Sequence, residues 1–170
     1  MFVIETARLG LRELEDGDVE ALMPILGNPE VMYAWEHGFS EGEVREWIEK
    51  NKKRYERDGF SYFAAIDKAK GSLIGAMGPL MEDIDGDWVP GVAYIVGKEY
   101  WGQGYAPEAA AACIRYLFTR TGAEKVIASI RPDNAASLRV ADKLGMQFEG
   151  LHVKFVNGKE MPHLIYGISK

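Results

Sequence analysis

The sequence predicts a single α/β domain spanning residues 1–170, in which a mixed, mostly antiparallel sheet is covered by helices on both faces. Its 170 residues are one domain's worth, and a hydrophobic content of 47% is enough for one full core. No internal repeat, low-complexity tract or long linker interrupts the chain. Strand-like and helix-like segments neither alternate strictly nor separate into two blocks, and this order favours a mixed sheet.

The N-terminal residues are predicted to form a strand and then a helix. Residues Arg8–Arg12 alternate polar and apolar side chains, which is typical of a half-buried strand. Asp16 or Asp18 can cap the helix that follows, which runs through Leu26 and ends at the turn-forming residues 27–29.

The middle of the chain is predicted to form a second helix and three strands. Ser40 and Glu43 have the spacing of a capping box, and apolar residues then recur at helical intervals from Val44 to Gly59. Three runs of strand-forming residues follow, at 61–67, 73–80 and 91–96.

The remaining residues are predicted to form two helices, one strand and a hairpin. An alanine-rich run gives a helix at 107–121, and a strand at 125–130 follows it. A short helix at 135–143 ends at Gly145, a typical C-cap. Asn157-Gly158 predicts a hairpin turn between strands at 153–156 and toward Ile168.

A glycine-rich turn joins a strand to a helix in the sequence Trp101-Gly102-Gln103-Gly104-Tyr105-Ala106. Backbone N–H groups at the start of a helix lack intrahelical partners and lie at the positive end of the helix dipole, so such a turn attracts phosphate. A Walker loop needs a Gly-Lys-Ser/Thr ending and a dinucleotide fingerprint needs a glycine at Pro107; the sequence has neither. A plain strand-to-helix turn is the alternative.

This turn resembles the acyl-CoA pyrophosphate loop of the GCN5-related N-acetyltransferases (GNAT), Gln/Arg-x-x-Gly-x-Gly/Ala, with Trp101 in place of the usual Gln or Arg. The chain looks most similar to the branch that includes the RimJ/RimL-type ribosomal-protein N-terminal acetyltransferases. The patterns that carry this resemblance are Thr6-Ala7-Arg8-Leu9-Gly10-Leu11-Arg12, Tyr100 to Ala106, and Asn134-Ala135-Ala136-Ser137 followed by Lys143-Leu144-Gly145. The resemblance covers nearly the whole chain and implies the GNAT fold.

The resemblance implies an enzyme that moves an acetyl group from acetyl-CoA to a primary amine by direct attack, without an acyl-enzyme intermediate. A backbone N–H near Ile95 is then expected to donate to the developing oxyanion. A CoA-binding module without catalysis, or an acyltransferase that uses another acyl-CoA such as succinyl-CoA, is the alternative. The cofactor-binding residues that the resemblance implies are Tyr94, Ile95, Val96, Gly102, Gln103, Gly104, Tyr105, Ala106, Asn134 and Ser137.

The acid that protonates the leaving thiolate departs from the family pattern. Many members carry a tyrosine at the position of Ala141, which is spaced to share one helical face with Asn134 and Ser137. The Ser137 hydroxyl is therefore the candidate catalytic group, acting as an acid or as a contact to the cofactor, and capping of the helix is its structural alternative. Asn134 is expected to cap this helix, to contact the cofactor, or both.

The sequence identifies no general base. Relatives carry a glutamate at the position of Gly91, and the acidic residues 82–87 are more typical of a solvated loop than of a catalytic cluster. His37 and His163 have side chains that titrate near neutral pH. An α-amine, with a pKa of about 8, needs little help from a base.

The acceptor amine is expected to lie against three residues that the resemblance implies. His163 belongs to the last strand, which lines the acceptor cleft in this fold, and a structural histidine is the alternative. Tyr33 and Trp35 lie in the aromatic segment 33–39, which helps to wall the acceptor site, and core packing is their alternative.

Composition limits the partners and the location. A net charge of −6 argues against binding to a nucleic-acid backbone. The sequence has no apolar run of about 18 residues and no signal-peptide pattern, so no membrane association and a cytoplasmic location are expected. The single cysteine, Cys113, is expected to be a buried packing residue. No metal site is predicted, and homodimers are common among similar proteins.

Overall fold

The computed structural model describes residues 1–170 as one eight-stranded sheet with four α-helices. The strands are β1 (Ile4–Glu5), β2 (Leu9–Arg12), β3 (Phe63–Asp67), β4 (Leu73–Ile84), β5 (Asp87–Val96), β6 (Lys125–Ile130), β7 (Gln147–Val156) and β8 (Lys159–Ser169). The helices are α1 (Val19–Leu26), α2 (Glu41–Asp58), α3 (Tyr105–Arg120) and α4 (Ala135–Lys143). None of these helices combines the length and the apolar character that a membrane crossing requires.

The sheet has the order β1-β2-β3-β4-β5-β6-β8-β7. All neighbouring strands are antiparallel except β5 and β6, which are joined through α3 and run parallel. The mixed, mostly antiparallel sheet expected from the sequence is therefore confirmed.

Helices cover both faces of the sheet, as predicted. Apolar residues of α1 and α2, such as Leu22 and Ile48, belong to one buried cluster on one face. The other face buries the alanine-rich side of α3, including Ala109, together with Ala141 of α4. Cys113 lies in this second cluster and is 1% exposed; because burial raises the pKa of its thiol, it remains a neutral packing residue.

Local signals explain where several elements begin and end. The Ser40 hydroxyl accepts a hydrogen bond from the Glu43 N–H, and the Glu43 carboxylate accepts one from the Ser40 N–H, so the predicted capping box is present. Gly59 ends α2 at a φ of 87°, a left-handed conformation that glycine adopts without strain. The predicted turn at Asn157-Gly158 joins β7 to β8.

Three expectations about the elements were wrong. Neither Asp16 nor Asp18 caps α1 through its side chain; the Asp18 carboxylate accepts hydrogen bonds from Arg12 and from the Glu15 N–H instead. Strand β1 was missed because two residues are too few to show a period. Strand β7 begins at Gln147 rather than 153, directly after the turn that ends α4.

The acidic stretch 82–87 is a hairpin rather than a loop. Strands β4 and β5 pair continuously up to Ile84 and Asp87, so that only Asp85 and Gly86 form the turn. Both turn residues have positive φ, 53° and 89°, which is the geometry that matches the twist of a two-residue hairpin. The sequence Asp85-Gly86 is itself a hairpin signal, but the acidic residues around it favoured the interpretation as a loop.

Candidate active site

Two parallel strands separate at the centre of the sheet and leave a cleft between them. Strands β5 and β6 pair only at Gly91 and Ile127, whereas β6 pairs with β8 on its other side from Lys125 to Ile130. The end of β5, Tyr94–Val96, therefore has no neighbour on the β6 side. The backbone N–H groups on that side are available to a ligand, whereas the Val96 carbonyl accepts a hydrogen bond from Nε1 of Trp101 at 2.8 Å.

The alternation of the strand decides which of these backbone groups face the cleft. The Gly97 N–H donates to the Ile74 carbonyl at 2.8 Å, so the odd-numbered residues of β5 point their N–H groups toward β4. The register then pairs Ile95 with Ala76 of β4. The N–H groups of Tyr94 and Val96 point the other way, into the cleft. The expected free N–H is therefore not that of Ile95 itself but that of either neighbouring residue, Tyr94 or Val96.

The glycine-rich turn gives α3 an open N-terminus beside this cleft. Gly102 and Gly104 have φ values of 76° and 81°, and Gly104 is the N-cap of α3. The first intrahelical bond runs from the Glu108 N–H to the Gly104 carbonyl at 3.2 Å, so the N–H groups of Tyr105 and Ala106 have no intrahelical partner.

The position of Pro107 in this helix differs from the prediction. Helix α3 starts at Tyr105, which makes Pro107 its third residue rather than its first. The first four N–H groups of a helix have no intrahelical partner, so proline removes a donor there without breaking an intrahelical bond. The anion-binding end of α3 keeps its remaining donors.

A cavity of about 430 Å³, the large cavity, connects the turn with the free end of β5. Gln103 is the one predicted cofactor residue outside it, because its side-chain amide bonds to the Glu99 carbonyl instead. Tyr33 and Trp35 also line the large cavity. The predicted cofactor residues along its wall are Tyr94, Ile95, Val96, Gly102, Gly104, Tyr105, Ala106, Asn134 and Ser137.

Two basic residues of α4 line the same cavity and were missed in the sequence. Arg139 and Lys143 stand four residues apart, so they project from one side of the helix into the cavity wall. The spacing from Ala136 through Val140 to Lys143 could have indicated that this side faces a cleft. Although the chain is acidic overall, these cations suit a phosphate-bearing ligand.

Arg8 brings a further cation to the turn. Its Nε donates to the Glu108 carboxylate at 2.8 Å, and its guanidinium carbon lies 4.1 Å from the centre of the Tyr105 ring. Burial alone would raise the pKa of Glu108, but hydrogen bonds from Thr6 and Arg8 outweigh it and hold that pKa below its usual range. The negative charge in the first turn of α3 is therefore neutralised before any anion approaches.

The residues of α4 divide between the cleft and the core. Asn134 caps the helix by accepting a hydrogen bond from the Ser137 N–H at 3.1 Å, and both residues line the large cavity. The Tyr94 hydroxyl donates to the Ser137 carbonyl at 3.3 Å and lies beside the Ser137 side chain. Ala141, one turn further along the same side of the helix, is completely buried and lines neither cavity.

A second cavity of about 210 Å³, the small cavity, adjoins the large one. Trp35, Tyr94, Asn134 and Ser137 line both cavities and form the wall between them. The residues that line the small cavity alone include His163, Ser129, Glu82 and Lys154. His163 is 8% exposed, and Glu82 forms an ion pair with Lys154 at 3.1 Å.

Glu82 lies beside Gly91, the position at which relatives carry a glutamate. The two residues lie on one face of the β4–β5 hairpin, and the Glu82 Cγ is 3.0 Å from where a Gly91 Cβ would stand. A carboxylate therefore reaches this position from the neighbouring strand. His37, by contrast, is exposed and bonded to Glu43 at 2.7 Å, and it lines neither cavity.

A family model described as an acetyltransferase (GNAT) domain matches residues 8–147. The chain belongs to the GNAT acetyltransferases. This GNAT enzyme is 37% identical over 144 residues to the uncharacterized protein YkkB of Bacillus subtilis, a match that covers 84% of each chain. It is also 31% identical over 154 residues to the uncharacterized N-acetyltransferase YnaD of Bacillus subtilis, a match that covers 90% of this chain and 87% of that one. The family model and this relative support an N-acetyltransferase, and the GNAT family uses acetyl-CoA.

Solved structures share the whole fold of this GNAT enzyme. An acetyltransferase of the GNAT family from Bacillus anthracis is 28% identical, with a TM-score of 0.82 over 99% of this chain and 98% of that one. RimL, a ribosomal L7/L12 α-N-protein acetyltransferase solved in complex with coenzyme A, has a TM-score of 0.76 at 20% identity, over 96% and 95%. At that identity the likeness to RimL concerns the fold alone.

Proposed function

We propose that this enzyme transfers the acetyl group of acetyl-CoA to a primary amine by direct attack in a ternary complex. The observation that carries the proposal is the separation of β5 from β6 beside the open N-terminus of α3. One end of this cleft offers backbone donors to phosphates, and the other offers an unpaired strand edge to an extended amide chain. Acetyl-CoA has this same combination of groups.

The donor side of the reaction is assigned to the large cavity. The N–H groups of Gly104, Tyr105 and Ala106 would bind the pyrophosphate, with Arg139 and Lys143 as neutralising charges. The backbone of Tyr94–Val96 would bind the pantetheine arm as an added strand. The N–H of Tyr94 or Val96, rather than that of Ile95, would donate to the carbonyl oxygen as it gains negative charge.

The Ser137 hydroxyl would act at the leaving sulfur. The cap made by Asn134 fixes the Ser137 backbone at the wall shared by the two cavities, beside the Tyr94 hydroxyl. Tyr94 is a weaker candidate acid, because burial raises the pKa of its phenol to about 12 and its hydroxyl bonds to the Ser137 carbonyl. A thiol has an ordinary pKa of about 8.5, so a single hydrogen bond is useful help at neutral pH.

The acceptor would enter through the small cavity, with Trp35 at the wall between the two cavities and Tyr33 on the side of the large cavity. Both a protein N-terminus and a small-molecule amine satisfy the requirement for a primary amine. Cys113 takes no part, since it is buried in the core beneath α3 and lines neither cavity.

A thermal-shift titration with acetyl-CoA, succinyl-CoA and free CoA tests the donor assignment. A ligand that binds only the folded state raises the melting temperature once its concentration exceeds its Kd. We expect acetyl-CoA and free CoA to stabilise the protein, and absence of a shift with all three would refute the assignment. A larger shift with succinyl-CoA would indicate another acyl donor.

Turnover distinguishes an enzyme from a binding module. Release of CoA is followed with a thiol reagent while acetyl-CoA is incubated with amino acids, short peptides, polyamines and aminoglycosides. Acetylation of any of these amines supports the proposal, whereas a thermal shift without turnover on the panel would favour a module that binds CoA without catalysis.

A further inference from the structure

His163 lies where the acceptor amine would meet the acetyl donor. It extends from β8 into the small cavity, whose wall toward the large cavity is formed by Tyr94, Asn134 and Ser137. The Ser129 hydroxyl of the same cavity is buried and lacks any hydrogen-bond partner. A buried polar group without a partner is rare in folded proteins, and a polar ligand in the cavity would satisfy it.

The tautomer of His163 follows from a single contact. Its Nδ1 lies 3.0 Å from the Met161 carbonyl, which can only accept a hydrogen bond, so Nδ1 carries the proton in the neutral ring. The other nitrogen, Nε2, is then unprotonated and has no partner within the chain. It is free to accept a proton.

Charged groups from three elements surround this ring. Lys154 of β7 and Arg131, which follows β6, are cationic, and Glu82 of β4 is anionic and paired with Lys154. His152 of β7 stands directly opposite His163 in the strand register. Burial and then the charge of Lys154 lower the pKa of His163 below its ordinary value, so the ring is neutral at physiological pH.

We propose that Nε2 of His163 is the general base that accepts a proton from the acceptor ammonium group. This inference rests on the proposed function and assigns its missing base. Nε2 takes one proton from R–NH₃⁺, and the neutral nitrogen forms its bond to the acetyl carbon as the carbon–sulfur bond breaks. A second proton of the nitrogen ends on the departing thiolate, giving CoA–SH, and His163 returns its proton to water.

Glu82 does not serve this role, although it stands near Gly91. Its carboxylate already accepts a hydrogen bond from the Lys154 ammonium group at 3.1 Å, so it is engaged by that cation rather than open to the acceptor amine. Its contribution is electrostatic, because its charge opposes that of Lys154 at the imidazole. The two charges therefore adjust the pKa of His163 in opposite directions, without contact to the reacting atoms.

A weak base in this place selects a class of amine. Proton transfer to an imidazole of ordinary pKa, about 6.5, is uphill by about 1.5 units from an α-amine and by about 4 units from a lysine-type amine. The lowered pKa of His163 adds equally to both, so a preference of about 250-fold for the α-amine remains. This preference comes from the amines themselves, and α-amines and other weakly basic amines are therefore the expected acceptors.

The pH dependence of kcat/KM provides the test, with the amine that the wild-type enzyme acetylates best. A base that removes the proton gives a plateau between the pKa of His163 and that of the amine. His163→Asn keeps a donor for the Met161 carbonyl but loses the base. We expect its kcat/KM to rise tenfold per pH unit up to the amine's pKa, and to be at least about tenfold below wild type at pH 7.

Neighbouring variants separate the base from a structural histidine. His152→Asn is the matched control, because His152 is 7% exposed, faces the same side and lines neither cavity. We expect it to keep the plateau. Glu82→Gln should move the acidic limb to lower pH and Lys154→Met to higher pH, since these charges shift the pKa of His163 in opposite directions.

Each outcome decides between the two proposals. If the wild type acetylates no amine of the panel, the proposed function fails and this inference fails with it. If the wild type has the plateau and His163→Asn retains it, or His152→Asn loses it equally, the base is not His163. A plateau lost only in Glu82→Gln would transfer the role to that carboxylate.

A competition between two peptides tests the class of amine. A tripeptide with a free α-amine should outcompete an N-blocked tripeptide carrying one lysine, and the reverse would refute the selection of α-amines.

Discussion

Replacing Gly104 with alanine tests the phosphate-binding turn at its most sensitive position. Gly104 caps α3 with a φ of 81°, and an added Cβ would lie 3.5 Å from Nη2 of Arg8, an ordinary contact distance. The fold therefore has room for the methyl group. Gly104 nevertheless lines the large cavity, so the methyl group would be added to the wall against which a phosphate would bind.

The expected effects on stability and on binding have separate origins. A non-glycine residue in the left-handed region costs about 1–2 kcal/mol, which lowers the melting temperature of a chain of this size by roughly 2–8 °C. Loss of one charge-assisted hydrogen bond to phosphate costs about 1.5–3 kcal/mol, or about tenfold to about 150-fold in Kd. At acetyl-CoA concentrations about 100 times the wild-type Kd, the stabilisation of about 2.7 kcal/mol would fall to about 1.4 kcal/mol or less.

Gly122→Ala is the matched control for the backbone strain. Gly122 has a φ of 72°, its added Cβ would meet nothing within 4 Å, and it lines neither cavity. Thermal melts without ligand should show similar losses for both variants, and isothermal titration with acetyl-CoA should separate them. An unchanged Kd in Gly104→Ala, or an equal rise in Gly122→Ala, would refute the assignment of the turn.

Three other variants address the remaining parts of the site. Ser137→Ala should lower kcat about tenfold or more while the Kd for acetyl-CoA changes little; an equal loss in both would reduce Ser137 to a binding contact. Lys143→Glu should raise the Kd about three- to tenfold at low salt and much less at high salt, whereas Lys53→Glu, on an exposed site of α2, should not. The lowered pKa of Glu108 adds stability that is present above its unfolded pKa and is lost as the pH falls through the folded pKa. Urea unfolding of Glu108→Gln should therefore show a deficit at pH 7 that shrinks toward pH 3, and a constant deficit would contradict the ion-pair explanation.

Local signals were enough to predict most of the helices and strands and, within the cleft, the glycine turn at the start of α3. The capping box at Ser40 and Glu43, the turn at Asn157-Gly158 and the glycine turn at 102–104 each depend on residues close in sequence. Such signals act over a few residues, so they can be recognised without knowledge of the fold. The extent of β7 and the hairpin at 82–87 were misjudged because charged and exposed residues obscure strand periodicity.

Long-range contacts decided the rest of the site. Arg8 reaches Glu108 across 100 positions of sequence, and Glu82 reaches Lys154 across 72. No spacing rule connects such residues, because their distance depends on strand order and on the register of the sheet. The same register determines that the N–H of Ile95 faces β4 while those of Tyr94 and Val96 face the cleft.

The sequence by itself determined the fold class, the GNAT family and the turn that would hold the cofactor, because those features are written in contiguous motifs. Only the tertiary structure decided which side chains meet at the acceptor. In the folded chain Ala141 is buried and Ser137 lines the cleft. His163 lies near the charges of Lys154, Glu82 and Arg131. The protonation of an imidazole depends on its burial and on the charges around it, and both arise only when distant segments pack together.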